Sequence, residues 1–316
     1  MVGRPFPSGD PAADRRAGYA ETLAHIGDLA AAVEVMQGAL ELVPGWAAGW
    51  FRLGEWLEAA GSVEEAAEAF GRAVAADPAD PLGAGIRRDL LRPVPVLETM
   101  PPAFVEMLFD QYAPRFERSL VEKLGYRGPE LLMQALAGAG GAPAGRVLDL
   151  GCGTGLMGEA LRPHCHWLEG IDISAGMLAE AEAKGLYDKL EKADIAGLDL
   201  SGEPYDLIVA ADVFIYLGAL ERIVGWCAGM LAPGGRLAFT VETGTAPLEL
   251  RPTRRFAHSP DYVAGLLAEA GFAPVTLSPA VLRQDRGDPV EGLVVVASAP
   301  GRGLRSEGTG EEEALA

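Results

Sequence analysis

The residues most suited to chemistry are Asp149-Leu150-Gly151-Cys152-Gly153-Thr154-Gly155, three glycines in five positions directly after the apolar pair Val147-Leu148. Glycine lets the backbone turn sharply and approach a ligand with no Cβ in the way, and a helix starting after Gly155 turns its free N–H groups toward that ligand. The pattern is that of a loop cradling a nucleotide-like cofactor. A dinucleotide loop would need its third glycine three residues after the second, where this chain has Leu156. Asp149, at the end of the strand, would repel a pyrophosphate and hold a cationic ligand. The loop therefore suits a cofactor without phosphates and disfavours nicotinamide-dependent oxidoreduction.

The residues that follow extend the pattern. The apolar run from Trp167 to Ile171 ends in Asp172, twenty-one residues beyond Gly151, so a second parallel strand carries a carboxylate at its end, where a ribose diol is gripped. Ser174 caps a helix through Met177 and Ala181, and Ile173 and Met177 are either an adenine wall or core. Ala193-Asp194-Ile195 follows a further short strand, Tyr205 to Ala211 reads as a buried strand ending at Asp212, and Pro233-Gly234-Gly235 is the turn before the strand Leu237 to Val241. In this order, over about 150 residues, the chain resembles the class I S-adenosylmethionine-dependent methyltransferases. The resemblance implies an α/β fold with a Rossmann-like seven-stranded sheet and S-adenosyl-L-methionine as cofactor. Its cofactor-binding residues are then Asp149, Gly151, Cys152, Gly153, Gly155, Asp172, Ile173, Met177, Asp194 and Ile195, with Asp194 meeting the adenine amino group.

A sulfonium methyl is already activated, so the protein must chiefly align a nucleophile and exclude water. A base helps only where the nucleophile is an alcohol or protonated amine. Candidates at the carboxyl ends of the strands are Asp212, Glu242, Arg255, His258 and Tyr262. His258 is the preferred base by its intrinsic pKa, the alternative being a histidine beside the helix cap Ser259-Pro260. A carboxylic acid would need no base, and Arg255 would anchor it. Arg251, Arg254 and Arg255 form the densest basic cluster, serving an anionic substrate or lying in a solvated loop.

The elements that position these groups divide the chain. Residues 1–12 read as a flexible lead, 13–91 as helical repeats, 92–101 as a proline-rich linker, 102–140 as a helical lid, 141–300 as the catalytic domain and 301–316 as a disordered acidic tail. Trp50, Leu53, Gly54, Leu57, Ala66, Phe70, Ala73 and Pro78 fall at tetratricopeptide spacing. Thirty-four residues earlier Tyr19, Ala20, Leu23, Ala32, Met36, Ala39 and Pro44 answer them. This resemblance covers residues 13 to 80 and implies an all-α repeat domain that docks a peptide or protein partner, or serves as scaffold. In the lid, Phe104, Leu108, Phe109, Tyr112, Phe116, Leu120 and Leu124 recur at helical spacing, interrupted near Pro114, and Tyr112 either covers the methionine end of the cofactor or packs in the core. Repeats, lid and core in this order are similar to bacterial methyltransferases carrying tetratricopeptide repeats.

Composition bounds the partners. A net charge of −19 repels a phosphate backbone, so general nucleic-acid binding is not expected. No segment is apolar enough to span a membrane, the first sixteen residues are no secretory signal, and three unpaired-looking cysteines point to the cytoplasm. His164-Cys165-His166 alternates faces without a fourth ligand, so no metal is expected. The expected activity is methyl transfer to an oxygen or nitrogen of a small molecule or protein-borne group. A second reading is a weak or inactive cofactor-binding scaffold acting through the repeats. The oligomeric state is left open.

Overall fold

The computed structural model describes residues 7–91, 100–113, 116–117, 120, 124–140 and 145–300. The termini, most of the linker at 92–101 and Pro114 lie outside the described residues, as does the expected tail.

The amino-terminal region is two antiparallel helix pairs, α1 (Pro11–His25) with α2 (Leu29–Leu42) and α3 (Ala47–Ala59) with α4 (Val63–Ala76), followed by α5 (Ala84–Leu91). Helix α1 begins inside the segment expected to be a loose lead, because Asp10 caps it by accepting the N–H groups of Ala12 and Ala13 at 2.7 and 2.8 Å. Small residues set the helix spacing. Ala13, Ala17, Ala20, Ala32, Ala39, Ala66 and Ala73 are all buried, and a Cβ on Gly54 would lie 2.6 Å from the Phe70 ring. Helices α2 and α4 begin thirty-four residues apart.

The helix α6 (Pro102–Tyr112) crosses from this region to the second one, where α7 (Gly128–Gly138) leads into an α/β sheet. The strands are β1 (Arg146–Leu150), β2 (Trp167–Asp172), β3 (Lys189–Lys192), β4 (Tyr205–Ala210), β5 (Leu231–Thr243), β6 (Leu248–Leu250), β7 (Phe256–His258), β8 (Val275–Asp285) and β9 (Asp288–Ser298). The helices α8 (Leu156–Leu161), α9 (Ala175–Lys184), α10 (Glu221–Met230) and α11 (Pro260–Glu269) follow β1, β2, β4 and β7 in turn, with β3 and the hairpin β6–β7 in between. The core order is β3-β2-β1-β4-β5, all parallel, extended past β5 by the antiparallel pair β9-β8. Those seven strands match the expected number. The hairpin β6–β7 raises the sheet to nine. Alternate strand residues feed two cores: Leu148, Ile208 and Leu237 pack with α10 and α11, while Val147, Leu207 and Ala238 pack with α7 and α8.

Two features of this sheet build a site. Strand order reverses between β1 and β4, which opens a crevice at their carboxyl ends. Glu242 in β5 pairs with Gly292 of β9 and with Ala257 of β7, so these neighbours lie on opposite edges. β7 therefore takes the edge of β5 that β4 leaves after Ala210, and carries the preceding turn over the crevice.

Candidate functional site

A cleft of about 480 Å³ lies over the carboxyl ends of β1, β2 and β4. Its floor comes from the glycine loop. Gly151 has φ +64°, and a Cβ there would meet Val213 at 2.4 Å, so nothing larger fits that turn. Gly153, at φ +54°, would place a Cβ in open space, which turns bare backbone toward whatever fills the cleft. The Gly153 N–H donates to Oδ2 of Asp172 at 2.9 Å and the Ser174 N–H to its Oδ1 at 2.8 Å. Burial pushes the Asp172 carboxyl up, against those two donors. Ile173, Met177, Asp194 and Ile195 line the same wall with Cys152. Asp194 also caps the turn Ile195–Gly197 through Ala196 N–H at 2.9 Å. The cleft thus presents a carboxylate at the end of β2, a second beyond β3, and apolar side chains between them, which fits an uncharged purine nucleoside.

Asp149 and Gly155 are not on that wall. The Tyr187 hydroxyl donates to Oδ2 of Asp149 at 2.7 Å, and the same ring lies 3.2 Å from where a Gly155 Cβ would stand. Asp149 is buried behind the loop, and burial pushes its carboxyl up to about 7. The expectation that it holds a cationic ligand directly is replaced by support of the loop from behind.

The opposite wall is made of distant pieces. Asp212 and Arg255 both line it. Asp212 has φ +60°, donates its N–H to Thr240 Oγ1 at 2.9 Å and is ion-paired at 2.7 Å with Arg283, which is 1% exposed and also pairs with Glu242. Burial would lower the Arg255 guanidinium, but the neighbouring Tyr216 and Asp212 raise it further. Phe109 stands edge-on to Tyr216 at 5.4 Å and to Phe116 at 5.9 Å. Tyr112 reaches the rim and is half exposed. Helix α6 is clasped to the floor: Asp110 Oδ1 accepts from Ser174 Oγ at 2.5 Å and from Gly176 N–H at 3.0 Å, and Lys192 meets Glu106 at 2.6 Å.

His258 is not brought to the cleft. It is fully buried, its Nε2 lies 2.8 Å from the Gly218 carbonyl, its ring stacks on Tyr262 at 5.8 Å, and burial lowers its pKa. The base expected there sits in the core behind β5, and Tyr262 is held away by accepting the Leu220 N–H at 2.9 Å. Ser259 does cap α11, as the cap reading requires. Sequence reasoning passed over Arg283, Tyr216, Tyr126 and Tyr187. Only Arg283 left a trace, as the one cation of its strand, directly after the apolar pair Val281-Leu282.

Residues 147–235 match the family model of the methyltransferase domain. A malonyl-[acyl-carrier protein] O-methyltransferase of Enterobacter lignolyticus is 33% identical over 159 residues, 49% of this chain and 61% of that protein. A trans-aconitate 2-methyltransferase of Methylobacterium nodulans is 39% identical over 132 residues, 41% of this chain and 50% of that protein. The chain spans about half to three fifths of the length of these curated relatives. Among solved structures, the N-methyltransferase NodS of Bradyrhizobium japonicum with S-adenosyl-L-homocysteine is 23% identical, with TM-score 0.49, covering 62% of this chain and 98% of that one.

Proposed function

We propose that the chain is an S-adenosylmethionine-dependent methyltransferase whose methyl acceptor occupies the aromatic half of the cleft. The observation that carries this reading is the cradle in which Asp172 accepts the N–H of Gly153, the one loop glycine whose missing Cβ leaves open space in front of the backbone. The match of residues 147–235 to the methyltransferase domain supports it. When bound, the cofactor supplies a methyl group that needs no further activation. Asp172 would accept the ribose hydroxyls, Asp194 the adenine amino group, and Ile173, Met177 and Ile195 would sandwich the base. Phe109, Tyr112 and Phe116 exclude water from the opposite side. Asp212 is committed to Arg283 and serves as a fixed charge, so the acceptor is an oxygen or nitrogen presented ready to react, on a small molecule or a protein-borne group.

Calorimetry with S-adenosylhomocysteine tests the cofactor site, and transfer of a labelled methyl group into separated metabolite and protein fractions tests the activity. Binding in the micromolar range with label in a discrete product is expected. A purified, folded chain that binds neither S-adenosylmethionine nor S-adenosylhomocysteine would sink the reading.

We also infer that residues 13–80 are a pair of tetratricopeptide-type repeats, from the two helix pairs and the thirty-four-residue step between α2 and α4. Their docking of a peptide or protein, and a cytoplasmic location suggested by three free cysteines, belong to the same proposal. No helix among the described residues is long and apolar enough to cross a membrane.

A further inference from the structure

The three carboxylates on the cleft wall are all committed. Asp172 accepts two backbone N–H groups, Asp194 caps a turn and Asp212 is paired with Arg283, while the Arg255 guanidinium is stabilised by the neighbouring Tyr216 and Asp212. Arg254 stands apart from these groups. It lines the mouth, lies half-buried with its guanidinium 5.9 Å from the centre of the Phe104 ring, and its side chain makes no hydrogen bond or ion pair with any described residue. Glu55 and Glu58 of the helical region, whose charges act on Arg254, are already bonded to Arg87, and Glu55 also to Arg52. A partly buried cation with no carboxylate bonded to it among the described residues is suited to receive an anion.

Its backbone supports the same reading. Arg254 has φ +58°, a conformation that costs a non-glycine residue energy and persists where surrounding structure enforces it. The turn is pinned by the Arg254 N–H to the Arg251 carbonyl and by the Arg251 N–H to the Arg255 carbonyl, both at 2.8 Å. The strain aims Arg254 across Phe104 of α6, where Met100, Val105 and Leu108 continue an apolar wall into the cleft. A guanidinium over an aromatic face at the entrance to an apolar channel matches a ligand with an anionic head and an apolar body.

We propose that Arg254 is the specificity residue of the acceptor site, holding the carboxylate of an amphiphilic acceptor at the mouth while its apolar body lies along Phe104 and Leu108. This rests on the methyl-transfer reading and names the acceptor class for it. The probe is decanoate, compared with the uncharged decanol, titrated by calorimetry into the full chain saturated with S-adenosylhomocysteine. Decanoate should bind on the order of tenfold more tightly than decanol, the effect of one charge-assisted bond. Arg254→Gln should abolish that preference with S-adenosylhomocysteine affinity and decanol binding unchanged, and Arg254→Lys should restore part of it. Equal binding of the two probes, no decanoate binding, or a preference that survives Arg254→Gln overturns the proposal. If S-adenosylhomocysteine itself fails to bind, the methyl-transfer reading falls instead, and the two-probe comparison on the cofactor-free chain still decides Arg254.

Discussion

The two walls of the cleft are built on different principles. On the proposed cofactor wall, each carboxylate is satisfied by backbone close by or on the neighbouring loop: Asp194 by Ala196, Asp172 by Ser174 and Gly153. On the acceptor wall, side chains far apart in sequence answer one another: Asp212 and Arg283 are seventy-one residues apart, Glu242 and Arg283 forty-one. A wall of backbone contacts tolerates loss of a side chain at the cost of ligand affinity alone. A wall of buried charge pairs is part of the fold, and losing one partner strands the others in a medium that solvates them poorly.

That contrast can be broken by substitution. Arg283→Met should have the largest effect, destabilising the protein by about 3–5 kcal/mol because two carboxylates lose their buried partner. Denaturant unfolding measures it, and a loss below about 1 kcal/mol would mean that the acceptor wall is no more structural than the other. Asp172→Ala should do the opposite, lowering S-adenosylhomocysteine affinity by about 1–3 kcal/mol in calorimetry while the unfolding midpoint hardly moves. Unchanged affinity would remove Asp172 from the site.

His258→Ala sharpens the comparison from behind the acceptor wall. Stability should fall by about 1–2 kcal/mol with cofactor affinity near normal, since a buried ring and its bond to Gly218 are lost. Burial lowers the folded-state pKa from the ordinary 6.5, so the unfolded chain takes up the proton first. The contribution is therefore complete above pH 6.5 and is lost as pH falls below it, and the substitution should flatten that part of the stability profile. Asp149 has the reverse sign. Its folded-state value of about 7 lies above the ordinary 3.8, so stability is lost as pH rises between them, and Asp149→Asn should remove that slope. The smallest effect is expected for Asp110→Ala, about 0.5–1 kcal/mol, read as faster release of bound S-adenosylhomocysteine in stopped flow once α6 loses its hold on Ser174 and Gly176.

The cofactor wall was legible because its signals are local. Glycines at fixed spacing, a carboxylate ending an apolar run and a serine opening a helix each act within a few residues, and backbone chemistry alone dictates them. Asp172, Ile173, Met177, Asp194 and Ile195 consequently meet on one wall. Asp149 shows where local signals end: its strand-end position is local, but its carboxylate is taken up by Tyr187, thirty-eight residues away.

By itself the sequence determined two helical pairs, the order of the strands and the glycine loop, since periodicity and turn chemistry are written along the chain. Only the tertiary structure decided what faces the aromatic half of the cleft, the proposed acceptor site. The edge that β4 leaves free is filled by β7, which carries Arg254 and Arg255 over the crevice and turns His258 into the core. Which of three residues within one short stretch meets a ligand depends on a pairing register with a strand fifteen residues upstream.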